Sequence, residues 1–412
     1  MSKSPWPDRL LQGLVIAFPF VAVSLPGGGS ALYTLLALAG VVFGWRGVSR
    51  SRGNERYWWL ALLLFFLLAA ASLAYSADLE NGAQRLERFL RLATLGLVFA
   101  VLVRWHVVAG RLFVIGLMAA ALSMFVQALY EIHWLQRDYA QGLYHKIIFG
   151  DIAMLTALLL FAAVLTLLRG RLRLLALLCI PLALYASVMS ATRGAWLVLP
   201  VVGVVLAWLY RQRVDRRLWW LTGGALAMVL ALVVVLRPAP LVGPLERGVE
   251  ELRTFVVDPS RHTSWGDRLN MWRNATIIWW HNPLFGTGIG DFNHDTRELV
   301  AQGRSLSGDV VKYGHAHSIY FDTLATLGIA GVLLLMVALF LLPGHYFYRA
   351  WQRAGDGQVR FAALAGLLTV VSFAVFGFSE GWLSRNPFVN PYIVYLALFA
   401  ATIAAERNRS AA

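Results

Sequence analysis

Apolar stretches of membrane-spanning length recur along the chain, separated by short polar links and by one long polar interruption from about residue 237 to 317. Roughly twelve such runs can be counted, and at about 20 residues per span each approaches the length needed to cross a bilayer as a helix. They lie near 10–26, 30–45, 57–75, 89–103, 112–131, 148–168, 172–190, 195–210, 218–236, 318–342, 361–379 and 391–405. Lipid offers no partners for backbone N–H and C=O groups, so runs of this kind must be helical. The pattern predicts an all-α polytopic membrane protein of about twelve transmembrane helices with one long outer loop that itself contains helices. Residues 1–236 would supply nine spans, 237–317 the loop and 318–412 three more, in a single integral domain.

Hydrophobic residues make up 59% of the chain and charged ones 14%, against about 25% charged in an ordinary soluble domain. The net charge of +14 could suggest nucleic acid, but its placement argues otherwise. Basic clusters sit on alternate links: Arg46, Arg50, Arg52 and Arg56; Arg104 and Arg111; Arg169, Arg171 and Arg173; Arg211, Arg213, Arg216 and Arg217; Arg349, Arg353 and Arg360. With the termini, one side collects about 20 Lys and Arg against about 6 on the opposite short links, as the positive-inside rule requires. Both termini are therefore expected in the cytoplasm and the long loop outside. Met1–Arg9 and the run after it read as a retained first helix, because Pro26 and the glycines before Ser30 lead straight into another span.

The single cysteine, Cys179, lies inside an apolar run and is expected only to pack. Trp pairs such as Trp58–Trp59 and Trp219–Trp220 flank spans, where indole rings favour the headgroup zone. No internal repeat is visible and few ionisable residues fall in mid-span, which lowers the case for a lipid or glycan transporter. Arg91, Asp151, Asp322 and Glu380 all fall near outer span ends. Each could snorkel or cap, yet their concentration favours a site at the membrane surface over one at the midplane.

Within the loop, Ser264 and Asp267 have capping-box spacing, and Leu269, Trp272, Thr276, Trp279 and Trp280 then recur at helical intervals until Asn282–Pro283. A helix lying along the membrane, and serving as a lid, fits this aromatic face. The glycine-rich run from Phe285 to Phe292 lacks the third glycine and the preceding strand of a dinucleotide loop, and is expected to be a tight turn. His315 and His317 frame the return to the membrane. Two histidines two apart are a weak metal signal, since zinc wants three or four ligands. A neutral imidazole could instead accept a proton from a sugar hydroxyl, or simply cap a helix. Arg193, in the nearly loop-free link Ala191–Trp196, is held at the outer surface; with Arg268 it could grip a diphosphate through paired charge-assisted hydrogen bonds.

Three segments carry a family resemblance: Ser190–Trp196 (SATRGAW); the run from Arg268 and Trp272 through Pro283 to Phe292; and His315–Phe321 with Gly328. In order, spacing and sidedness these resemble the O-antigen ligase family. That resemblance implies a GT-C-like membrane enzyme that moves O-polysaccharide from undecaprenyl diphosphate to lipid A-core on the periplasmic face of the inner membrane. It implies an inverting transfer that uses neither metal, cofactor nor nucleotide sugar, with His317 activating or orienting the acceptor and Arg193 and Arg268 holding the donor diphosphate. His315, His145, Lys146, Arg261 and Tyr320 are further candidate contacts. Ser318 departs from the family's usual Asn. O-antigen polymerases and protein O-oligosaccharyltransferases share this pattern and differ in the acceptor.

Overall fold

The computed structural model describes residues 6–44, 55–211, 239–355 and 357–410. Among these the fold is all-helical, and eight helices are long and apolar enough to cross a membrane, with Arg9–Ser24 and Gly28–Gly44 as shorter apolar helices. The run 218–236 and the cluster residues Arg46, Arg50, Arg52, Arg213, Arg216 and Arg217 lie outside the described residues, as do Trp219 and Trp220.

In chain order the helices are α1 (Trp6–Ser24), α2 (Gly28–Ala39), α3 (Glu55–Ser72), α4 (Leu79–Ala93), α5 (Leu95–Arg104), α6 (Arg111–Leu129), α7 (Lys146–Thr166), α8 (Gly170–Met189), α9 (Arg193–Trp196), α10 (Val198–Tyr210), α11 (Ala239–Val257), α12 (Ser264–His281), α13 (Phe292–Ala301), α14 (Ile319–Leu335), α15 (Leu342–Arg353), α16 (Gly357–Ser379) and α17 (Asn386–Ser410). The centre is built by α7, α16 and α17, whose apolar windows are 94%, 78% and 94% buried. By contrast α8 and α10 are 22% and 17% buried, and the exposed Leu174, Leu178 and Val204 mark their outward faces as the ones for lipid. Apolar burial drives little association between helices in lipid, so close packing must do so. Gly40 and Gly44, four apart, let α2 and its π-helical extension lie directly on the Leu97 backbone of α5.

Several expectations are revised. The run 89–103 is not one helix: α4, rich in Arg and Glu, carries it to Ala93, and the ten-residue α5 continues after Thr94. The run 318–342 is broken at Gly328, whose φ of 63° and ψ of −163° lie outside the helical region. Tyr320 donates to the Ala374 carbonyl and Tyr392 to that of Leu339, so residues 320 and 339 both lie near the same end of the bundle, where α16 ends and α17 begins. Ile319–Leu327 is therefore a short helix at that end of the bundle, and the long span begins after the break. Trp58 and Trp59, in the first turns of α3, turn inward: they are 1% and 9% exposed and stack on each other inside the bundle.

The glycine-rich run is the turn expected, and it fills the break. Thr287 and Gly288 donate backbone N–H bonds to Ala325 and Thr326, while Ile329 and Ala330 donate to Pro283 and Leu284. Gly286, Gly288 and Gly290 all have positive φ. Asp291 then accepts from Ser76 Oγ, Ala77 N and Asp78 N, which fastens the turn to the start of α4.

Candidate active site

Three connectors meet at one end of the bundle, where α7 and α9 begin and α16 ends. The first is the link Ser190–Thr192. The Ser190 hydroxyl donates to the Ser187 carbonyl at 2.6 Å and accepts the Thr192 N–H at 3.2 Å, while Thr192 Oγ1 donates to the Lys146 carbonyl at 2.9 Å. These bonds pin the link to the first turn of α7, so Arg193 emerges at the mouth of the bundle. Its Nη2 lies 3.3 Å from Glu251 Oε2, which also accepts the Trp265 N–H at the start of α12 at 3.1 Å. Gly248 of α11 is buried against the same guanidinium: a Cβ there would lie 2.6 Å from Arg193 Nη1.

Arg268 comes from α12. That helix is capped by Thr263, whose Oγ1 accepts the Gly266 N–H at 3.0 Å, one residue before the expected Ser264. Ser264 Oγ instead accepts from Arg268 Nη1 at 3.4 Å. The buried face of α12 is mixed, with Met271, Ala275 and Ile278 beside Asp267, Asn270 and Asn274, and Trp272 stacks on Phe321. Burial lowers the pKa of Arg268, opposed by Glu380 and assisted by Arg193, and its Nε is buried without a hydrogen-bond partner. Lys146 lies in the electrostatic field of Arg193, Arg268 and Arg247, with its ammonium 4.2 Å over the Tyr139 ring. Arg193, Arg268 and Lys146 thus form one cationic basin.

The third connector is the turn Gly314–His317, and its backbone is held on every side. Arg85 of α4 pairs with Asp322 at 2.6 Å and donates to the Gly314 carbonyl. Asp322 accepts the Ala316 N–H at 3.2 Å, Trp272 Nε1 donates to the Ala316 carbonyl at 3.1 Å, and His315 Nδ1 accepts the His317 N–H at 3.1 Å. This bracing holds His317 at φ 46°, a left-handed conformation that costs a non-glycine residue about 1–2 kcal/mol. Such strain persists where the surroundings over-determine it.

The two histidines are not equivalent. His315 is buried, and desolvation first, then His317, lowers its pKa far below the ordinary value, so it is neutral and its Nδ1 is spent as an acceptor. His317 is partly open, with Tyr313 edge-on to its ring at 5.1 Å. Its Nδ1 lies 3.5 Å from Glu380 Oε2, and Glu380 Oε1 lies 3.2 Å from Arg385 Nε. His145, the cap of α7, accepts the Ile147 N–H, and burial lowers its pKa; its ring feels both Glu380 and His317.

The remaining candidates lie elsewhere. The Tyr320 hydroxyl is committed to Ala374 at 2.6 Å between α14 and α16. Arg261 is exposed in the turn between α11 and α12, beside Asp258. Around these candidates the fold gathers Glu380, Arg85, Asp322 and Glu251; Asp322 and Glu380 stand out in the sequence by their span-end positions, whereas nothing local marks Arg85 or Glu251.

His315, His317 and Glu380 bring three possible ligand atoms within 4.8 Å of one another. The donor set fits a divalent ion poorly: one His315 nitrogen already accepts a hydrogen bond, Glu380 is shared with Arg385, and Arg268 adds a further positive charge. The better-matched ligand is an anion in the basin beside a partly open imidazole.

Residues 176–336 match the O-antigen ligase family. That stretch contains Arg193, Arg268, His315 and His317 and ends before Glu380. An uncharacterized protein of Haemophilus influenzae is 24% identical over 213 residues, 50% of this chain and 51% of that protein. The chain therefore spans about half the length of that curated relative.

Proposed function

We propose that this membrane protein is an O-antigen ligase, transferring O-polysaccharide from undecaprenyl diphosphate to a sugar hydroxyl of lipid A-core. The observation that carries the reading is the convergence of a braced, partly open histidine with Arg193, Arg268 and Lys146 at the outer ends of the spans. With the termini cytoplasmic, as the charge pattern favours, that mouth faces the periplasm, and both lipid-anchored substrates reach it from within the inner membrane.

The chemistry follows from the residues. The acceptor oxygen attacks the anomeric carbon while the bond to the diphosphate oxygen breaks, a single displacement that inverts the centre. The acceptor proton passes to the His317 imidazole, which later releases it to water. Negative charge grows on the departing diphosphate, where guanidinium hydrogen bonds of about 1.5–3 kcal/mol each can be strongest in the transition state. No nucleotide sugar, metal or cofactor enters these steps. The helix α12 bears Arg268 and covers the turn through Trp272, as a lid over the reacting groups would.

The test is transfer by the purified protein in detergent, with excess chelator, undecaprenyl diphosphate-linked glycan as donor and lipid A-core as acceptor. Product with the native chain and loss with Arg268→Ala supports the reading. Donor chains that lengthen on one another while lipid A-core stays unmodified would make it a polymerase.

A further inference from the structure

Glu380 is the carboxylate on which the site's charges converge. It is 1% exposed at the end of α16. His315 and His317 face it from the turn, Arg385 from its own connector, Arg268 from α12, and His145 and Asp151 from α7. Its Oε1 is committed to Arg385, whereas Oε2 and His317 Nδ1, 3.5 Å apart, have no other partner. Two buried polar atoms left to each other at that distance form a hydrogen bond with a small adjustment of either side chain.

We propose that Glu380 is the positioning residue of this site: it holds the proton on His317 Nδ1, turns Nε2 and its lone pair toward the acceptor hydroxyl, and stabilises the imidazolium formed on proton transfer. The atom balance is simple. The acceptor proton goes to Nε2, the Nδ1 proton stays in the bond to Glu380, and the carboxylate remains ionised throughout. Desolvation alone would raise the pKa of Glu380, but His317, His315 and Arg385 outweigh it and hold the group well below the usual carboxylate range. Arg385 keeps the carboxylate aimed, and neutral His315 fixes the backbone of His317 without competing for the proton. A carboxylate behind a histidine is a general way to set tautomer and basicity.

The kinetic part rests on the ligase reading; the titration part does not. His317 in the full-length protein is followed by diethyl pyrocarbonate modification, read at its own peptide by mass spectrometry across pH, because only the neutral imidazole reacts. An opposite charge at this range favours the protonated form, so Glu380→Gln should move the modification midpoint to lower pH than in the native chain. Glu380→Asp, which keeps the charge, should restore most of it. In the transfer assay Glu380→Gln should lower kcat by about 10- to 100-fold with donor KM nearly unchanged, and shift the acid limb of the pH profile in the same direction. An unmoved midpoint in a folded Glu380→Gln protein overturns the proposal, whatever the activity. A shifted midpoint in a protein that transfers no glycan would uphold Glu380 and reject the ligase reading.

Discussion

Replacing Arg85 by methionine should impair transfer even though the side chain lies behind the turn that presents His317. The guanidinium is 7% exposed and its partner Asp322 14%, joined at 2.6 Å. Removing one partner of a buried pair typically costs about 3–5 kcal/mol. Asp322 keeps its bond from the Ala316 N–H, which places the expected loss at the lower end of that range. The same substitution releases the Gly314 carbonyl, a charge-assisted bond of about 1.5–3 kcal/mol, from a turn that stores about 1–2 kcal/mol in the left-handed His317. A net bias of about 1.4 kcal/mol toward the right-handed conformation leaves a tenth of the molecules with His317 correctly placed. Transfer should therefore fall at least about tenfold at saturating donor, together with a lowered unfolding midpoint in detergent. An Arg85→Met protein that is destabilised yet transfers at the native rate would refute the claim that this clamp sets the histidine.

Three further outcomes follow from the same contacts. Gly248→Val places side-chain atoms where Arg193 Nη1 now sits, so the guanidinium must move; donor KM should rise several-fold with little change in kcat, and an unchanged KM would remove Gly248 from the account. His315 is neutral in the fold because burial depresses its pKa, so it contributes stability that is complete above the ordinary value near 6.5 and is lost as pH falls below it; thermal unfolding between pH 7 and 4 should show a shallower pH dependence in His315→Gln than in the native chain. Tyr320→Phe should cost about 1 kcal/mol of stability through its bond to Ala374, and Arg261→Ala almost nothing, while both retain full transfer.

Much of the helical architecture was readable in the chain because lipid enforces a simple rule: apolar length gives spans. Arg193 and Lys146 could be singled out because a cation at a span end is conspicuous, and Arg268 because it lies on the helix of the long loop. The difference between the two histidines was harder to read: one imidazole is buried and spent on the backbone of the other. The partners of His317 were illegible for a different reason. Glu380 and Arg85 are far from it in sequence, and a lone acid or base at a span end looks the same whether it snorkels or braces a turn. The break at Gly328 was hidden because an apolar run continues through it, and only the bonds from Thr287 and Gly288 show that another segment completes the backbone there. That Trp58 and Trp59 face the bundle and not the lipid was hidden because aromatic residues at a span end suit either side.

On the proposed function, a lipid diphosphate binds between Arg193, Arg268 and Lys146 with His317 facing its sugar linkage. The most direct measurement is an electron cryomicroscopy structure of the full-length protein in lipid nanodiscs with undecaprenyl diphosphate. The account predicts two phosphate densities within hydrogen-bonding distance of the Arg193 and Arg268 guanidiniums, with Glu251 displaced from Arg193. Phosphate bound elsewhere, with the Arg193–Glu251 pair intact, would contradict it.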